Sequence, residues 1–389
     1  MTVSITSFVS PATRAVRAGI VAIFLAVIAG PGLGLALGVD RRAIAEAEMR
    51  ELAPPPAWPV DWSALNAWPS AFSRYFVDHF AFRARLLHLH AVALWEGLRT
   101  SPSDTVIAGT DGWLFYADDG GLDDYVQAQP ITTGELEAWR ETLDRTQEWL
   151  SARGIHFLVV FAPDKQMIYP EFMPPSLERL SPDYRIDDLL AYLHGRSSID
   201  PLDLRPSLLS AKGGEPLYHR YDTHWNDRGG LVGYQAIVGR LHEWFPSMTP
   251  LAREGFATSA DVPSGDKTTM LGLVDRGKIA MPGLVPRHGW SARVVEPATP
   301  DPYGEEGRLV TEIPGSTLPR AVVFRDSFGG RLIPFLSEHF SRVVYLWEND
   351  FDAAVVERER PDVVIQEYVD RHLVTYLPYP GLVPAADHP

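Results

Sequence analysis

The chain of 389 residues contains no cysteine. Thiol nucleophiles, disulfide bonds and thiolate metal sites are therefore excluded. It also lacks an excess of basic residues, since 50 acidic side chains outnumber 35 lysines and arginines and leave a formal net charge of −15. This charge disfavours a nucleic-acid partner, which would require basic patches. No internal repeat is present, and a hydrophobic content of 46% indicates a globular protein with one large domain or two.

One uncharged stretch near the N-terminus bears on location. Arg14 and Arg17 precede residues 18–39, which carry no charge, and this length suits a single membrane span. As an uncleaved signal anchor, the stretch leaves residues 1–17 in the cytoplasm and exports the rest. We favour this interpretation because the stretch is longer than an ordinary signal core. As a cleaved signal peptide, it offers small residues at 36–38 for cleavage, and the chain is exported as well.

Residues 40–100 are predicted to form a stalk and a docking segment. Residues 40–56 are rich in Ala, Glu and Arg and end in three prolines, which indicates a helical stalk followed by a stiff break. The rest of the segment is rich in aromatic side chains, and we expect these to dock it on the main domain. They are Trp58, Trp62, Trp68, Phe72, Phe76, Phe80 and Phe82.

Strand and helix patterns alternate along the main domain, residues 101–389. Thr132 and Glu135 have the spacing of a capping box, at the start of a helix that Gly154 ends. Further short apolar runs indicate buried strands, at residues 156–161, 343–347 and 362–365. This alternation predicts an α/β fold with a parallel sheet covered on both faces. Residues 250–315, rich in Pro and Gly, are predicted to be an insertion of loops or short strands.

A serine lies at a predicted strand-to-helix turn. Residues 321–324 are apolar and rich in β-branched types, Asp326 and Ser327 follow, and Gly329 and Gly330 open an apolar helical pattern. At such a turn the backbone N–H groups and the helix dipole favour negative charge, which suits a nucleophile that must stabilise an oxyanion. An Asp-Ser pair at a helix start is also an ordinary helix cap. A catalytic interpretation of the motif therefore requires a general base elsewhere in the chain.

A candidate base lies upstream of this serine. Asp222 and His224 are two residues apart, so in extended chain their side chains point the same way, and Asn226 can cap the helix that follows. A serine nucleophile needs a base, and the base needs a partner that holds its tautomer; Ser327, His224 and Asp222 supply these three roles. Metal binding by His219, Asp222 and His224 is the alternative, but no further strong ligand lies nearby, and we predict no metal site.

Together these segments resemble the SGNH-hydrolase-like domain of alginate O-acetyltransferases of the AlgX/AlgJ type. The resemblance rests on Asp-Thr-His-Trp at 222–225 before a helix and on Arg-Asp-Ser-Phe-Gly at 325–329 after a strand. Other pieces match in the same order, at residues 78–83, 112–116 and 162–170. In this family the Asp and His precede the Ser, as they do here. Arg325 departs from the pattern, since a glycine often precedes the Asp-Ser pair.

The resemblance implies a fold, an activity and partners. The fold is a three-layer α/β/α SGNH-hydrolase-like sandwich, tethered by the N-terminal transmembrane helix or signal anchor to the inner membrane, with its domain in the periplasm. The activity is O-acetylation of an exported polysaccharide: Ser327 accepts the acetyl group, His224 acts as base and then acid, and Asp222 orients His224. A multispanning membrane O-acyltransferase supplies the acetyl groups, and no metal or organic cofactor is needed. The alternatives are a polysaccharide acetylesterase with the same triad and a non-catalytic polysaccharide-binding scaffold.

Further residues are candidates for substrate contact. Lys165 follows a strand at the edge where ligands bind in open α/β sheets, and we expect it to orient substrate or support the oxyanion, the alternative being a surface lysine. Tyr116 and Trp225 are candidates for stacking on sugar rings, although core packing is the commoner fate of such side chains. Gly329 and Gly330, with the serine, are expected to present backbone N–H donors to the oxyanion.

Overall fold

The structure is a computed structural model. It describes residues 11–38, 52–98, 100–264, 271, 273, 279–300, 306–379 and 383. The chain divides into two compact units, Met1–Pro102 and Ser103–Pro389. Residues 1–10 of the predicted cytoplasmic tail, residue 39 of the predicted anchor and residues 40–51 of the predicted stalk lie outside the described residues.

Helices form most of the described part of the N-terminal unit. They are α1 (Pro11–Ala36), α2 (Trp62–His79) and α3 (Arg83–Val92), and α3 continues as a π-helical turn, Ala93–Leu98. The Asp61 carboxylate accepts the N–H of Ala64 at 2.7 Å and so caps α2. Within α1, Thr13–Ala36 is long and apolar enough to cross a membrane, a test that a signal sequence also passes.

Strands and helices alternate through much of the C-terminal unit. The strands are β1 (Val106–Ala108), β2 (Leu114–Tyr116), β3 (His156–Ala162), β4 (Leu202–Asp203), β5 (Phe256–Ser264), β6 (Ile279–Pro286), β7 (Arg293–Pro300), β8 (Glu306–Glu312), β9 (Arg320–Arg325), β10 (Arg342–Trp347) and β11 (Val363–Val369). The α-helices are α4 (Gly121–Val126), α5 (Thr133–Ser151), α6 (Lys165–Ile168), α7 (Arg185–Leu193), α8 (Arg205–Ala211), α9 (Asp227–Leu241), α10 (Ile333–Leu336), α11 (Ala353–Glu359) and α12 (His372–Thr375).

Seven of these strands form a mixed sheet in the order β4–β3–β11–β9–β10–β8–β7. The strands from β4 to β10 are parallel, whereas β8 pairs antiparallel with β10 and β7 antiparallel with β8. The prediction of a parallel sheet is therefore wrong at this edge, which the predicted insertion at 250–315 supplies. The short connection between β7 and β8 explains why these two strands are antiparallel, because parallel neighbours need a crossover of roughly a dozen residues or more. β5 and β6 form a separate antiparallel ribbon.

Alternate side chains of the central strands enter two separate apolar clusters. Val322 and Phe324 of β9 lie in a cluster with residues of α5, α7 and α11, whereas Val323 lies in a cluster with residues of α9. Helices therefore cover both faces of the sheet, as near-continuous apolar strands require. The carboxyl ends of the parallel strands meet at one edge, where the candidate residues follow β3 and β9.

The predicted caps fix where the site-bearing loops begin. Thr132 Oγ1 accepts the N–H of Glu135 at 3.2 Å, and the Glu135 carboxylate accepts the N–H of Thr132 at 2.6 Å, which confirms the capping box of α5. Gly154, just after that helix, has a φ of 70°. Asn226 Oδ1 accepts two N–H groups from the first turn of α9, at 3.0 and 3.1 Å. This cap starts α9 directly after the Asp-His segment.

Candidate active site

Ser327 lies at the carboxyl end of β9 and is partly exposed. Its φ of −65° and ψ of −30° lead into a 3₁₀ turn, Phe328–Arg331, and α10 follows. The single helix expected here is thus divided. Pro334 explains the division, because its nitrogen carries no hydrogen for the carbonyl four residues earlier. We call residues 326–330 the nucleophile turn.

Several backbone N–H groups of the nucleophile turn are occupied. The N–H of Phe328 donates to Oδ1 of Asp326 at 2.8 Å. The N–H of Asp326 donates to Oε2 of Glu367 at 3.1 Å, and that of Gly330 to the Ser327 carbonyl at 3.2 Å. The N–H of Ser327 has no hydrogen-bond acceptor in the part of the chain that the structure describes. It is therefore available to a developing oxyanion.

Two buried carboxyl groups fasten the nucleophile turn to β11. Asp326 Oδ2 accepts the N–H of Val369 at 2.6 Å, and Glu367, on β11 itself, also faces the N–H of Gly329. Burial raises the pKa of Glu367 well above its ordinary value, and the neighbouring Asp326 raises it further. Folding therefore favours the neutral form of Glu367.

Neighbouring atoms leave no room for a side chain at one of the two glycines of the nucleophile turn. A Cβ atom on Gly329 would lie 2.6 Å from the Cβ of Arg325 and 2.9 Å from Oε2 of Glu367, whereas on Gly330 the nearest atom would be 3.9 Å away. A side chain would therefore clash with its neighbours at Gly329 but not at the other glycine. The Arg325 side chain, at the position where the family often has glycine, is buried with its guanidinium 4.6 Å from the Trp347 ring centroid.

The Asp-His segment lies in a short antiparallel hairpin, residues 218–225. Tyr218 pairs with Trp225, and the N–H of His219 donates to the His224 carbonyl at 3.3 Å. Asp222 Oδ1 lies 2.8 Å from Nδ1 of His224 and accepts the His224 N–H at 3.0 Å. A carboxylate at Nδ1 favours the tautomer with the proton on Nδ1. Nε2 is then the basic nitrogen.

Three contacts join this hairpin and the start of α9 to the nucleophile turn. Nε1 of Trp225 donates to the Phe328 carbonyl at 3.1 Å, and the His224 ring centroid lies 5.1 Å from that of Phe328. Asp227 pairs with Arg331 at 3.0 Å. The segments that carry the two halves of the predicted triad are therefore neighbours in space.

His224 and Ser327, the predicted base and nucleophile, form no hydrogen bond with each other in this structure. Nε2 of His224 is buried and has no hydrogen-bond partner among the described residues, and the Ser327 hydroxyl forms no hydrogen bond with them. Catalytic hydrogen bonds are often long without substrate and tighten when it binds. The catalytic role of the three residues therefore stays a prediction.

Lys165 is buried at the start of α6, with 1% of its surface exposed. Its Nζ donates to the carbonyl of Asp222 at 2.6 Å, of His219 at 3.1 Å and of Arg220 at 3.3 Å. The surface-lysine alternative is therefore wrong, because the ammonium group holds the backbone of the hairpin. A direct contact of Lys165 with substrate remains a prediction.

The structure treats the remaining candidates differently. Trp225 is wholly buried, so the prediction that it stacks on a sugar is not supported, and core packing describes it instead. Tyr116 is partly exposed, with its ring centroid 5.2 Å from the Arg371 guanidinium, and its sugar contact remains a prediction. His219 is buried, and burial lowers its pKa to about 4. No group of three or more His, Asp or Glu side chains that could hold a metal occurs among the described residues.

Sequence reasoning missed a buried ionic network beside the nucleophile turn. Arg371, which follows β11, pairs with Asp164 at 2.8 Å and with Asp119 at 3.2 Å. Nδ1 of His372 lies 3.5 Å from Oδ2 of Asp326. Burial raises the pKa of Asp164, and Arg371 opposes that rise. The available signal was position, because Asp164 and Arg371 both follow buried strands at the edge where polar groups collect.

Comparison with known proteins identifies the family. The family model described as "SGNH hydrolase-like domain, acetyltransferase AlgX" matches residues 106–347, more than half of the chain. The fold and the Asp-His and Ser segments agree with this match. The chain therefore belongs to this family, and the resemblance expected from the sequence is confirmed.

Individual relatives extend the comparison. The chain is 24% identical over 336 residues to the Probable alginate O-acetylase AlgJ of Pseudomonas fluorescens, a match that covers 81% of this chain and 80% of that protein. It is 29% identical over 139 residues to the protein of that name from Pseudomonas aeruginosa, covering 36% of this chain and only 33% of that protein. A solved structure of Bacillus cereus PatB1 with sulfonyl adduct matches with a TM-score of 0.53 and 16% identity, over 70% of this chain and 95% of that chain. This structural likeness shows the fold alone.

Proposed function

We propose that the protein transfers acetyl groups to hydroxyls of an exported polysaccharide. The observation that carries the proposal is the contact between Asp222 and His224 at 2.8 Å, which leaves Nε2 of His224 unengaged on a segment adjoining that of Ser327. A binding scaffold needs no such arrangement. The names of the two relatives, probable alginate O-acetylases, support an acetyl group as the transferred group and a polysaccharide as the acceptor.

The first half-reaction acetylates the enzyme. Nε2 of His224 takes the proton from Ser327 as Oγ attacks the acetyl carbonyl carbon, and the negative charge moves to the carbonyl oxygen. The free N–H of Ser327 is a donor for that oxygen. The tetrahedral intermediate then collapses, the proton on Nε2 passes to the leaving group of the donor, and acetyl-Ser327 remains. Asp222 stabilises the imidazolium through Nδ1.

The second half-reaction returns the serine. A polysaccharide hydroxyl loses its proton to Nε2 of His224 while its oxygen attacks the acetyl-Ser327 carbonyl. The proton then returns to Oγ, and the acetylated sugar leaves. If water takes the place of the hydroxyl, the product is acetate, so exclusion of water distinguishes a transferase from an esterase.

The proposal includes a location and a partner. If α1 remains uncleaved, it anchors the chain in the inner membrane with the C-terminal unit in the periplasm. Acetyl groups made in the cytoplasm must then cross the bilayer, so a multispanning membrane O-acyltransferase is the class of partner that would deliver them.

The decisive experiment is to trap the acetyl-enzyme. The protein is incubated with an activated acetyl ester, and the peptide with Arg325 to Gly330 is examined by mass spectrometry for an added acetyl group. We expect the adduct in the parent chain and none in Ser327→Ala. Ser341→Ala is the matched control, since Ser341 precedes β10 at the opposite edge of the sheet and its hydroxyl donates to the Pro319 carbonyl at 3.3 Å.

Asp222→Asn separates catalysis from folding. It should leave the fold intact but lower the acylation rate by up to about 10⁴-fold, because an amide holds the wrong tautomer of His224. Adding short glycans with free hydroxyls should divert product from acetate to acetylated glycan. Acetate release that ignores every glycan would support the esterase instead. No adduct in the folded parent chain, together with unchanged function in Ser327→Ala, would leave only the scaffold.

A further inference from the structure

The N-terminal unit contains a close contact between the apolar helix α1 and the chain just after α2. A Cβ atom on Gly34 would lie 2.2 Å from the Cβ of Ala81, which is fully buried, and the N–H of Ala81 donates to the Pro31 carbonyl at 3.3 Å. A Cβ on Gly32 would reach the Phe76 ring at 4.0 Å. Small residues that let backbones approach are typical of helix contacts in membranes. The glycines of α1 therefore form a notch that receives residues 76–81.

This notch lies inside the membrane span and fixes the depth of residues 76–81. The apolar helix Thr13–Ala36 has 24 residues. At 1.5 Å per residue it is about 36 Å long, roughly 6 Å more than the hydrocarbon core of a bilayer. Its uncharged part, residues 18–36, is about 28 Å long and matches that core, so with Ala36 at the hydrocarbon boundary, Pro31, five residues earlier, lies about 7 Å below it. Ala81 must lie at a similar depth, because it is hydrogen-bonded to Pro31.

A row of aromatic rings runs from this point along α2. Successive ring centroids are 6.3 Å apart for Phe80 and Phe76, 6.2 Å for Phe76 and Phe72, 5.0 Å for Phe72 and Trp68, and 6.1 Å for Trp68 and Trp58. We call these five residues the aromatic stripe. Trp58 is 85% exposed, and Phe72 and the neighbouring Leu65 are also exposed. The stripe is thus an apolar surface that begins inside the bilayer boundary.

The rest of the segment has the composition of a membrane interface. On α2 the face opposite the stripe carries small polar residues, among them Ser63 and Ser70. On α3, Leu86, Leu87 and Leu89 are exposed beside Arg83 and Arg85. Tryptophan and other aromatics with arginine are favoured where hydrocarbon meets headgroups.

We propose that residues 58–89 form an interfacial membrane segment, with the aromatic stripe inserted in the headgroup and acyl boundary of the bilayer that α1 crosses. The occupant of this apolar surface is lipid, because the stripe is continuous with the notch that sets its depth. The inference rests on the proposed function in one respect, that α1 remains as an anchor. A glycine notch that receives residues 76–81 is unnecessary in a peptide that is cut away.

The absence of cysteine makes a direct test straightforward, since single cysteines can be spin-labelled in the full chain. Leu65→Cys and Phe72→Cys report the stripe, and Ser70→Cys on the opposite face is the control. The full-length protein is placed in vesicles of phosphatidylethanolamine and phosphatidylglycerol, and collisions with oxygen and with a water-soluble nickel chelate are measured. We expect the first two labels to meet oxygen but not nickel, at depths of roughly 5–10 Å, and Ser70 to meet nickel.

Two other patterns would overturn the inference. If both reagents are excluded from Leu65 and Phe72, protein covers the stripe, as expected if it docks on the C-terminal unit. If nickel reaches both labels, the stripe lies in water. A mature chain that begins after residue 36 would also overturn it. Formation of the Ser327 adduct, measured on the same vesicles, is independent of these outcomes and tests the proposed function separately.

The notch can be tested with a compensating pair. Gly34→Ala should reduce the depth of the label at Phe72, because its Cβ would overlap that of Ala81. Adding Ala81→Gly should restore the depth. Gly19→Ala is the matched control, since a Cβ on Gly19 meets nothing within 4 Å. Equal label depths in Gly34→Ala and Gly19→Ala would refute the role of the notch.

Discussion

Replacing Lys165 by methionine tests whether this buried residue positions the hairpin of residues 218–225 or contacts the substrate. The ammonium group donates to three backbone carbonyls, the shortest contact being 2.6 Å to Asp222. A hydrogen bond from a charged donor contributes about 1.5–3 kcal/mol net, and the longer contacts less. Methionine also removes the cost of desolvating a buried charge, and this offsets part of the lost stability. We expect the free energy of unfolding to fall by about 3 kcal/mol.

The same change should slow chemistry more than it weakens binding. Loss of the three contacts frees the backbone that positions Asp222 and His224, and a displacement of about 1 Å in a catalytic group can cost roughly 100-fold. We therefore expect the rate of Ser327 acetylation to fall about 10- to 100-fold while the KM for the acetyl donor stays near its parent value. Rapid-quench mass spectrometry gives the acetylation rate, and chemical denaturation in detergent gives the stability.

Lys212→Met is the matched control. Lys212 donates to the Ile168 carbonyl at 2.6 Å and to Glu171 at 2.9 Å, away from the hairpin and partly exposed. Its loss should cost about 1 kcal/mol or less and leave acetylation unchanged. A Lys165→Met variant with parental stability and a raised KM would refute the positioning argument. It would then support the substrate contact predicted from the sequence.

Three further predictions address the nucleophile turn and the buried acids. Gly329→Ala should lower acetylation at least about 10-fold, whereas Gly330→Ala should have little effect, because only the first Cβ would clash; equal rates would contradict the packing. Glu367→Gln should keep the parental acetylation rate at pH 7, since burial raises the Glu367 pKa and favours the neutral acid that glutamine mimics, while Glu367→Ala should lose it; a large loss in Glu367→Gln would show an ionised carboxylate. Burial, and then the nearby Asp164, raises the pKa of Asp124 from 3.8 to about 7, so the folded chain binds more protons than the unfolded chain between these values and loses stability as pH rises through them. Asp124→Asn should therefore be more stable than the parent at pH 8, by up to about 4 kcal/mol, with the difference shrinking towards pH 5 in denaturation curves.

Local signals predicted much of the fold. The capping box at Thr132 and the cap at Asn226 occur as expected, because a side chain within a few residues satisfies each helix start. The apolar run before Ser327 is a buried strand, as predicted, because a strand covered on both faces has apolar side chains on both sides. The direction of β8 and β7 was not predictable from composition, because it depends on which strand lies beside them.

The candidate site was less predictable where it depends on partners far away in sequence. The contact of Asp222 with His224 was expected from their spacing, although the structure places both residues in bends of the hairpin and not in extended chain. The carbonyl contacts of Lys165 and the fastening of Asp326 to β11 were not expected, because each joins segments that only the fold brings together. Trp225 shows the same limit, since its sequence motif cannot distinguish a tryptophan that packs in the core from one that stacks on a sugar.

The contacts between the hairpin and the nucleophile turn have an evolutionary consequence. Trp225 and Asp227 hold the start of α9 against Phe328 and Arg331, so the two segments stay adjacent whatever length of chain runs between them. The ribbon of β5 and β6 occupies that interval and meets α9 through the hydrogen bond from Leu284 N–H to Asp227 at 2.8 Å. Insertions, deletions or exchanges in this ribbon are therefore expected to leave the contacts between the hairpin and the nucleophile turn in place.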